Sequence, residues 1–210
     1  MLPKKFKAIF LDFDGVVVES TDIKTEAFYE IYLPYGVEVA EKAKEYHVNN
    51  QGIPRSIKFK NIHELYLDKH LELTEEQVLS TNFSKLVFKK ILDCSLVDGI
   101  IDFLEIHNND NIPVFLLSAT PDQELAKIVI ARKLDRYFSE VYGSPNTKVN
   151  AGMSIINRYN FNSQEILFVG DSNSDYQAAL SLNTKFIWRM SGNVTPVNGI
   201  QYINSFKELI

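Results

Sequence analysis

The chain has only one cysteine, Cys94, in 210 residues. A lone thiol excludes an internal disulfide and suits a reducing compartment, so a cytoplasmic location is expected. Cys94 sits in a helical apolar pattern and reads as a small core residue rather than a nucleophile. Positive charge is also short: 22 basic against 27 acidic side chains leave a net charge of −5. With no long basic run, nucleic acid and anionic membrane surfaces are excluded as main partners. No segment is long and apolar enough to span a membrane. The opening "MLPKKFKAIFLDFD" starts like a secretory signal, but its apolar run is short and soon meets acid, so that reading fails. Internal repeats and low-complexity tracts are absent. What remains, 45% apolar and 23% charged, is a globular balance, long enough for one sizeable domain or a domain with an insert.

Two textures alternate along the chain. Short β-branched and aromatic runs occur at Phe6 to Leu11, Ile112 to Leu117, Ile166 to Val169 and Lys185 to Trp188, with a shorter one at Glu140 to Tyr142. Continuous apolarity at this length predicts strands covered on both faces. Helical patterns stand between them at Asp122 to Lys133, Asn150 to Arg158 and Asp175 to Leu182. The alternation predicts an α/β fold with a parallel sheet core flanked by helices.

Residues 19–92 break that rhythm. Ile23, Ala27 and Ile31 share a helical face, and Pro34 and Gly36 stop it. Ile57, Ile62, Leu65 and Tyr66 predict a second amphipathic helix. Thr74 with Gln77 reads as a capping box opening a third, carrying Val78, Leu86 and Val87. The simplest reading is an all-helical domain at 19–92, inserted into a core made of 1–18 and 93–210. The closing "FKELI" reads as a short terminal element.

Ligands of a parallel sheet bind beyond the carboxyl ends of its strands. The first strand ends in Asp12, Asp14 and Gly15; the second in Ser118, within "FLLSAT"; a later one in "FVGDSNSD", which supplies Asp171 and Asp175. Lys148 stands in a loop before a helix. Carboxylates gathered at one point need a cation, and hard oxygen ligands favour Mg²⁺. A lysine and a hydroxyl beside them suit the oxygens of a phosphate dianion. An ionised aspartate can attack phosphorus, and a second can carry the proton. Asp12 and Asp14 point to the same side, with Phe13 turned toward the core, and Gly15 permits a tight exit.

In order and spacing, "DFDGVV", "LLSAT", Lys148 and "GDSNSD" resemble the four motifs of the haloacid dehalogenase-like superfamily, over essentially the whole chain. The resemblance implies a Rossmann-like core with a helical cap inserted after the first motif, in a phosphatase- and phosphomutase-rich subgroup. It implies Asp12 as nucleophile and Asp14 as general acid/base. Ser118, Ala119 and Lys148 match phosphate-holding positions. Asp12, Asp14 through its backbone carbonyl, and Asp171 match the Mg²⁺ ligands, with Asp175 supporting the metal through water or Lys148. Glu19-Ser20 also agrees with the family pattern, whereas the proline that often follows the lysine is replaced by "KVNAG". In "NNQGIPRSIKFK", Gly52, Pro54 and Arg55 resemble a substrate-specificity loop in a turn between helices. Arg55 is suited to a second phosphate or a carboxylate, while Lys58 and Lys60 read as more generic.

The expected activity is a Mg²⁺-dependent phosphatase acting on a small phosphomonoester through an aspartyl-phosphate. A sugar phosphomutase on the same scaffold is the rival, favoured only by Arg55. A dehalogenase needs neither Asp14 nor a metal, and phosphonate-cleaving relatives replace the second aspartate. From another class, a non-catalytic phospho-acceptor signalling module would place its aspartate where this chain has Ser118. His47, His63, His70 and His107 have no metal-binding spacing and read as structural or exposed. Phe28, Tyr29 and Tyr66 read as core of the insert.

Overall fold

The computed structural model describes residues 6–191 and 196–210. A six-stranded, wholly parallel sheet forms the centre, built from β1 (Ala8–Leu11), β2 (Val114–Pro121), β3 (Glu140–Ser144), β4 (Ile166–Gly170), β5 (Lys185–Arg189) and β6 (Tyr202–Ile203), in the order β3-β2-β1-β4-β5-β6. The middle strands β1 and β4, and β2 as far as Leu117, are apolar and covered on both faces. Side chains alternate between the faces. Ile9, Leu11, Val114 and Leu116 meet α5 (Ile100–Asn109) and α6 (Asp122–Ala131), while Phe10, Phe115 and Phe168 meet α7 (Lys148–Tyr159) and α8 (Asn173–Leu182).

Four helices precede α5 on the way from β1 to β2: α1 (Thr21–Tyr32), α2 (Val37–Asn49), α3 (Arg55–Tyr66) and α4 (Leu73–Asp93). Phe28, Phe59 and Phe83 pack against one another at centroid distances of 5.0–6.1 Å, and their cluster runs on into the sheet's own core. The chain enters and leaves these helices along hydrogen-bonded segments, with Glu19 N–H donating to Ser95 O and Val97 N–H to Val17 O.

Several elements depart from the sequence expectation. The second strand continues through Ser118 to Pro121, where Pro121 pairs with Ser144 after a register shift. No capping box forms at Thr74 and Gln77; α4 begins at Leu73 after Glu72, which makes no side-chain cap. Cys94 follows α4 rather than lying inside it, and is half-buried. On α3, Ile57 and Leu65 are exposed, and the buried face is Arg55, Lys58, Phe59, Ile62 and His63. The apolar residues there do not mark the inner face because three polar side chains share it. The closing segment is a 3-10 turn, Phe206–Leu209, with Phe206 fully buried.

Candidate active site

β1 pairs with β2 on one side and β4 on the other, so the strand order switches direction at its carboxyl end and opens a crevice there. Asp12 extends the ladder, its N–H donating to Val169 O at 3.1 Å. The chain then turns tightly, with the N–H groups of Val16, Val17 and Val18 all aimed at Phe13 O. Phe13 is fully buried in the core. Gly15 makes this turn at φ +74°, and a Cβ there would lie 2.0 Å from Asp171 Oδ2, so only glycine fits.

Asp12, Asp171 and Asp175 are all buried, with one oxygen from each lying within 4.8 Å of the others. Among the described residues the cation set against them is Lys148, the first residue of α7: its Nζ lies 2.9 Å from Asp12 Oδ2 and also pairs with Asp175. One ammonium does not balance three carboxylates. Burial, only partly countered by Lys148, and repulsion from Asp175 and Asp14 raise the Asp12 carboxyl to about 7. Burial and the charges of Asp12 and Asp175 push Asp171 well above the ordinary carboxylate range, although Ser191 donates to it. Three crowded, under-neutralised carboxylates form a hard-oxygen donor set suited to a divalent cation. Asp175 is the most enclosed of the three. It accepts from Lys148 on one oxygen and from the Ser172 side chain and backbone on the other, completing the capping box of α8.

The Asp14 carboxyl is separate from that cluster. It accepts from Ser20 Oγ at 2.6 Å, from Thr120 Oγ1 at 2.9 Å, and from Lys24 Nζ. Burial raises its proton affinity, but Lys24 and the two hydroxyls outweigh this and hold it below the usual value. Thus the two neighbouring acids have opposite biases, a separation expected of groups with different proton-transfer roles.

Ser118 is buried at the end of the covered part of β2, with Oγ accepting from Thr120 N–H at 3.1 Å. Ala119 follows it on the wall of a cavity of about 60 Å³ that also exposes Asp12, Asp14 and Asp171. The cavity's other wall comes from the helical insert and includes Phe28, His47, Gly52, Arg55 and Lys58. The structure therefore gathers Asp12, Asp14, Ala119, Asp171, Gly52 and Arg55 around one space, with Ser118, Lys148 and Asp175 behind it. Arg55 opens α3 instead of lying in the preceding turn, and is paired with Glu124 of α6 while donating to Ser84 Oγ at 3.0 Å. Gly52 lies against the first turn of α8, where Ser174 Oγ donates to its carbonyl at 3.2 Å.

Sequence reasoning left Lys24, Thr120 and Arg189 without a role and passed over Lys58 as generic. Lys24 and Thr120 hold Asp14, Arg189 donates to Gly15 O at 2.9 Å while paired with Glu19, and Lys58 is buried in the cavity wall. Thr120 stood in the quoted "SAT" and was within reach of pattern reading, whereas Glu19, the partner of Arg189, had already been matched to the family pattern. Nothing in the local sequence distinguishes Lys24 or Lys58 from solvated lysines.

A crowded acid cluster at the carboxyl rim of a Rossmann-like parallel sheet is therefore the core of the site. Residues 9–189 match the family model of haloacid dehalogenase-like hydrolases, and the chain belongs to that family, whose members generally use a divalent metal. A haloacid dehalogenase-like hydrolase from Entamoeba histolytica superposes with a TM-score of 0.80 at 16% identity, over 96% of this chain and 94% of its own. A predicted phosphoglycolate phosphatase from Haemophilus somnus superposes at 0.77 and 19%, over 97% and 96%. β-Phosphoglucomutase from Clostridium difficile superposes at 0.78 and 18%, over 98% and 93%. At these identities the likeness is one of fold. No curated protein sequence matches the chain.

Proposed function

We propose that the protein is a Mg²⁺-dependent phosphatase that hydrolyses a small phosphomonoester through an aspartyl-phosphate on Asp12, with helices α1–α4 acting as a cap domain. The observation that carries this is the pairing of two adjacent acids with opposite surroundings on one cavity. Asp12 lies against Lys148 and two further carboxylates, and Asp14 against Lys24 and two hydroxyls.

Asp12, Asp171 and the backbone carbonyl of Asp14 would hold the ion, with Asp175 behind them. When bound, Mg²⁺ supplies the positive charge that offsets repulsion between the carboxylates and a phosphate dianion. Asp12 in its ionised form attacks phosphorus, and Ser118, Ala119 and Lys148 hold the remaining phosphoryl oxygens. Asp14 gives a proton to the leaving oxygen and in the second step takes one from the attacking water. The ionised state favoured by Lys24 is the one required by the second step. In the first step the incoming dianion favours protonated Asp14 and opposes Lys24, so the two charges set its protonation between them.

A phosphomutase reading drew on Arg55, and Arg55 here is occupied by Glu124. The phosphatase reading is tested by release of inorganic phosphate from a phosphomonoester panel with Mg²⁺ and no bisphosphate activator. Asp12→Asn is expected to lose turnover by about 10³-fold or more while keeping its circular dichroism. Undiminished phosphate release from that variant refutes the assignment.

A further inference from the structure

Resting on this phosphatase reading, we infer that Lys58, held by His47, is the specificity residue for a second oxyanion on the substrate. The enzyme is thereby assigned to short phosphomonoesters that carry a carboxylate or second phosphate beside the scissile group.

The inference starts from unequal neutralisation of the cations on the insert's wall of the cavity. Arg55, the obvious anion ligand, is already paired with the partly buried Glu124 and with Ser84. Lys24 is paired with Asp14 and bonded to Thr120. Lys58 is different. It is only 3% exposed, and among the described residues its hydrogen-bond partner is Nδ1 of His47, a neutral acceptor, at 2.9 Å. Its ammonium also lies 5.5 Å from the centre of the Phe28 ring.

A buried ammonium without a counter-ion is costly unless a ligand supplies one. His47 cannot. It is stacked on Phe28 with centroids 4.5 Å apart, and burial together with the charges of Lys58 and Lys24 keeps it neutral. Burial and Lys24 also hold the Lys58 ammonium down at about 7, against the pull of Asp14 and Asp171. An incoming anion would reverse that balance and charge the lysine fully.

The same wall has further unused hydrogen-bonding capacity. Thr21 Oγ1 and Gln51 Oε1 are buried without partners among the described residues, and both residues line the cavity. A ligand presenting an oxyanion to Lys58 and a hydroxyl to Gln51 would satisfy groups that are otherwise left dry. Because the cavity is small, at about 60 Å³, the anion must lie a few atoms from the phosphorus held at Asp12. A long or bulky leaving group does not fit this description.

The test uses matched two-carbon esters that differ only in the distal group: phosphoglycolate, ethylene glycol bisphosphate and 2-hydroxyethyl phosphate. With Mg²⁺, the wild type is expected to favour at least one anionic ester over the neutral one by about tenfold or more in kcat/KM. Whichever ester leads identifies the oxyanion as carboxylate or phosphate. Lys58→Met should bring that ratio close to one, with the loss mainly in KM. A wild type that hydrolyses these esters without this preference, or a Lys58→Met variant that keeps it, overturns the inference. Calorimetric binding of phosphoglycolate and the bisphosphate to Asp12→Asn protein separates this from the phosphatase reading. If no ester is hydrolysed but binding depends on Lys58, the phosphatase reading fails and the inference stands. Binding indifferent to Lys58→Met, or absent, overturns the inference whether or not hydrolysis occurs.

Discussion

Removing the divalent cation should make stability fall as pH rises, opposite to the common behaviour of paired carboxylates. Asp12 ordinarily titrates at 3.8 but in the metal-free fold is raised to about 7. The folded protein therefore binds a proton that the unfolded chain has already lost across this interval. The contribution is fully present below about pH 4 and disappears as pH rises through about 7. Taken alone, the shift is worth on the order of 4 kcal/mol, since each unit corresponds to about 1.4 kcal/mol. Asp171 moves in the same direction. A cation that binds the ionised cluster only in the folded state restores the lost stability by mass action. The assay is urea unfolding at several pH values from 5 to 8, in EDTA and in saturating Mg²⁺. The difference between the two curves should widen steadily toward high pH. A Mg²⁺ gain that is the same at pH 5 and pH 8 would refute the electrostatic account of the cluster.

Two further predictions concern partners of the site. Replacing Arg55 by Met leaves Glu124 charged and largely buried, so urea unfolding should show a loss of about 3 kcal/mol; Arg55→Met with Glu124→Gln should lose less than the two single changes together. Lys24→Met removes the cation that holds Asp14 down, so the limb of the kcat/KM profile that reports Asp14 ionisation should move to higher pH. An unmoved limb would show that Lys24 does not govern Asp14.

The sheet and the acid cluster were legible in the sequence for a common reason. Buried parallel strands carry uninterrupted apolar runs, and the ends of those runs locate the rim, so Asp12 and Asp171 could be placed before any packing was known. The limits were equally physical. β2 runs on through "SATP" because its neighbour β3 accepts a register shift, which no local pattern encodes. The two-residue strand β6 is too short to carry periodicity. On α3, the inner face contains Arg55, Lys58 and His63, so apolar spacing pointed to the exposed Ile57 and Leu65 instead. Arg55 was singled out for its loop and lines the cavity, but its partner Glu124 lies 69 residues away, and that pairing changes what the arginine can bind. In the sequence Lys58 is a generic lysine; only its burial beside His47 distinguishes it.

The central claim is that Asp12 takes the phosphoryl group. The most direct measurement is rapid acid quench of the wild type during turnover with a phosphomonoester and Mg²⁺, followed by peptide mass spectrometry. The account predicts a phosphoryl adduct on Asp12 that forms and decays at rates compatible with kcat, and accumulates when Asp14→Asn slows its hydrolysis. Full turnover with the adduct on another residue, or with none formed in either protein, would contradict it.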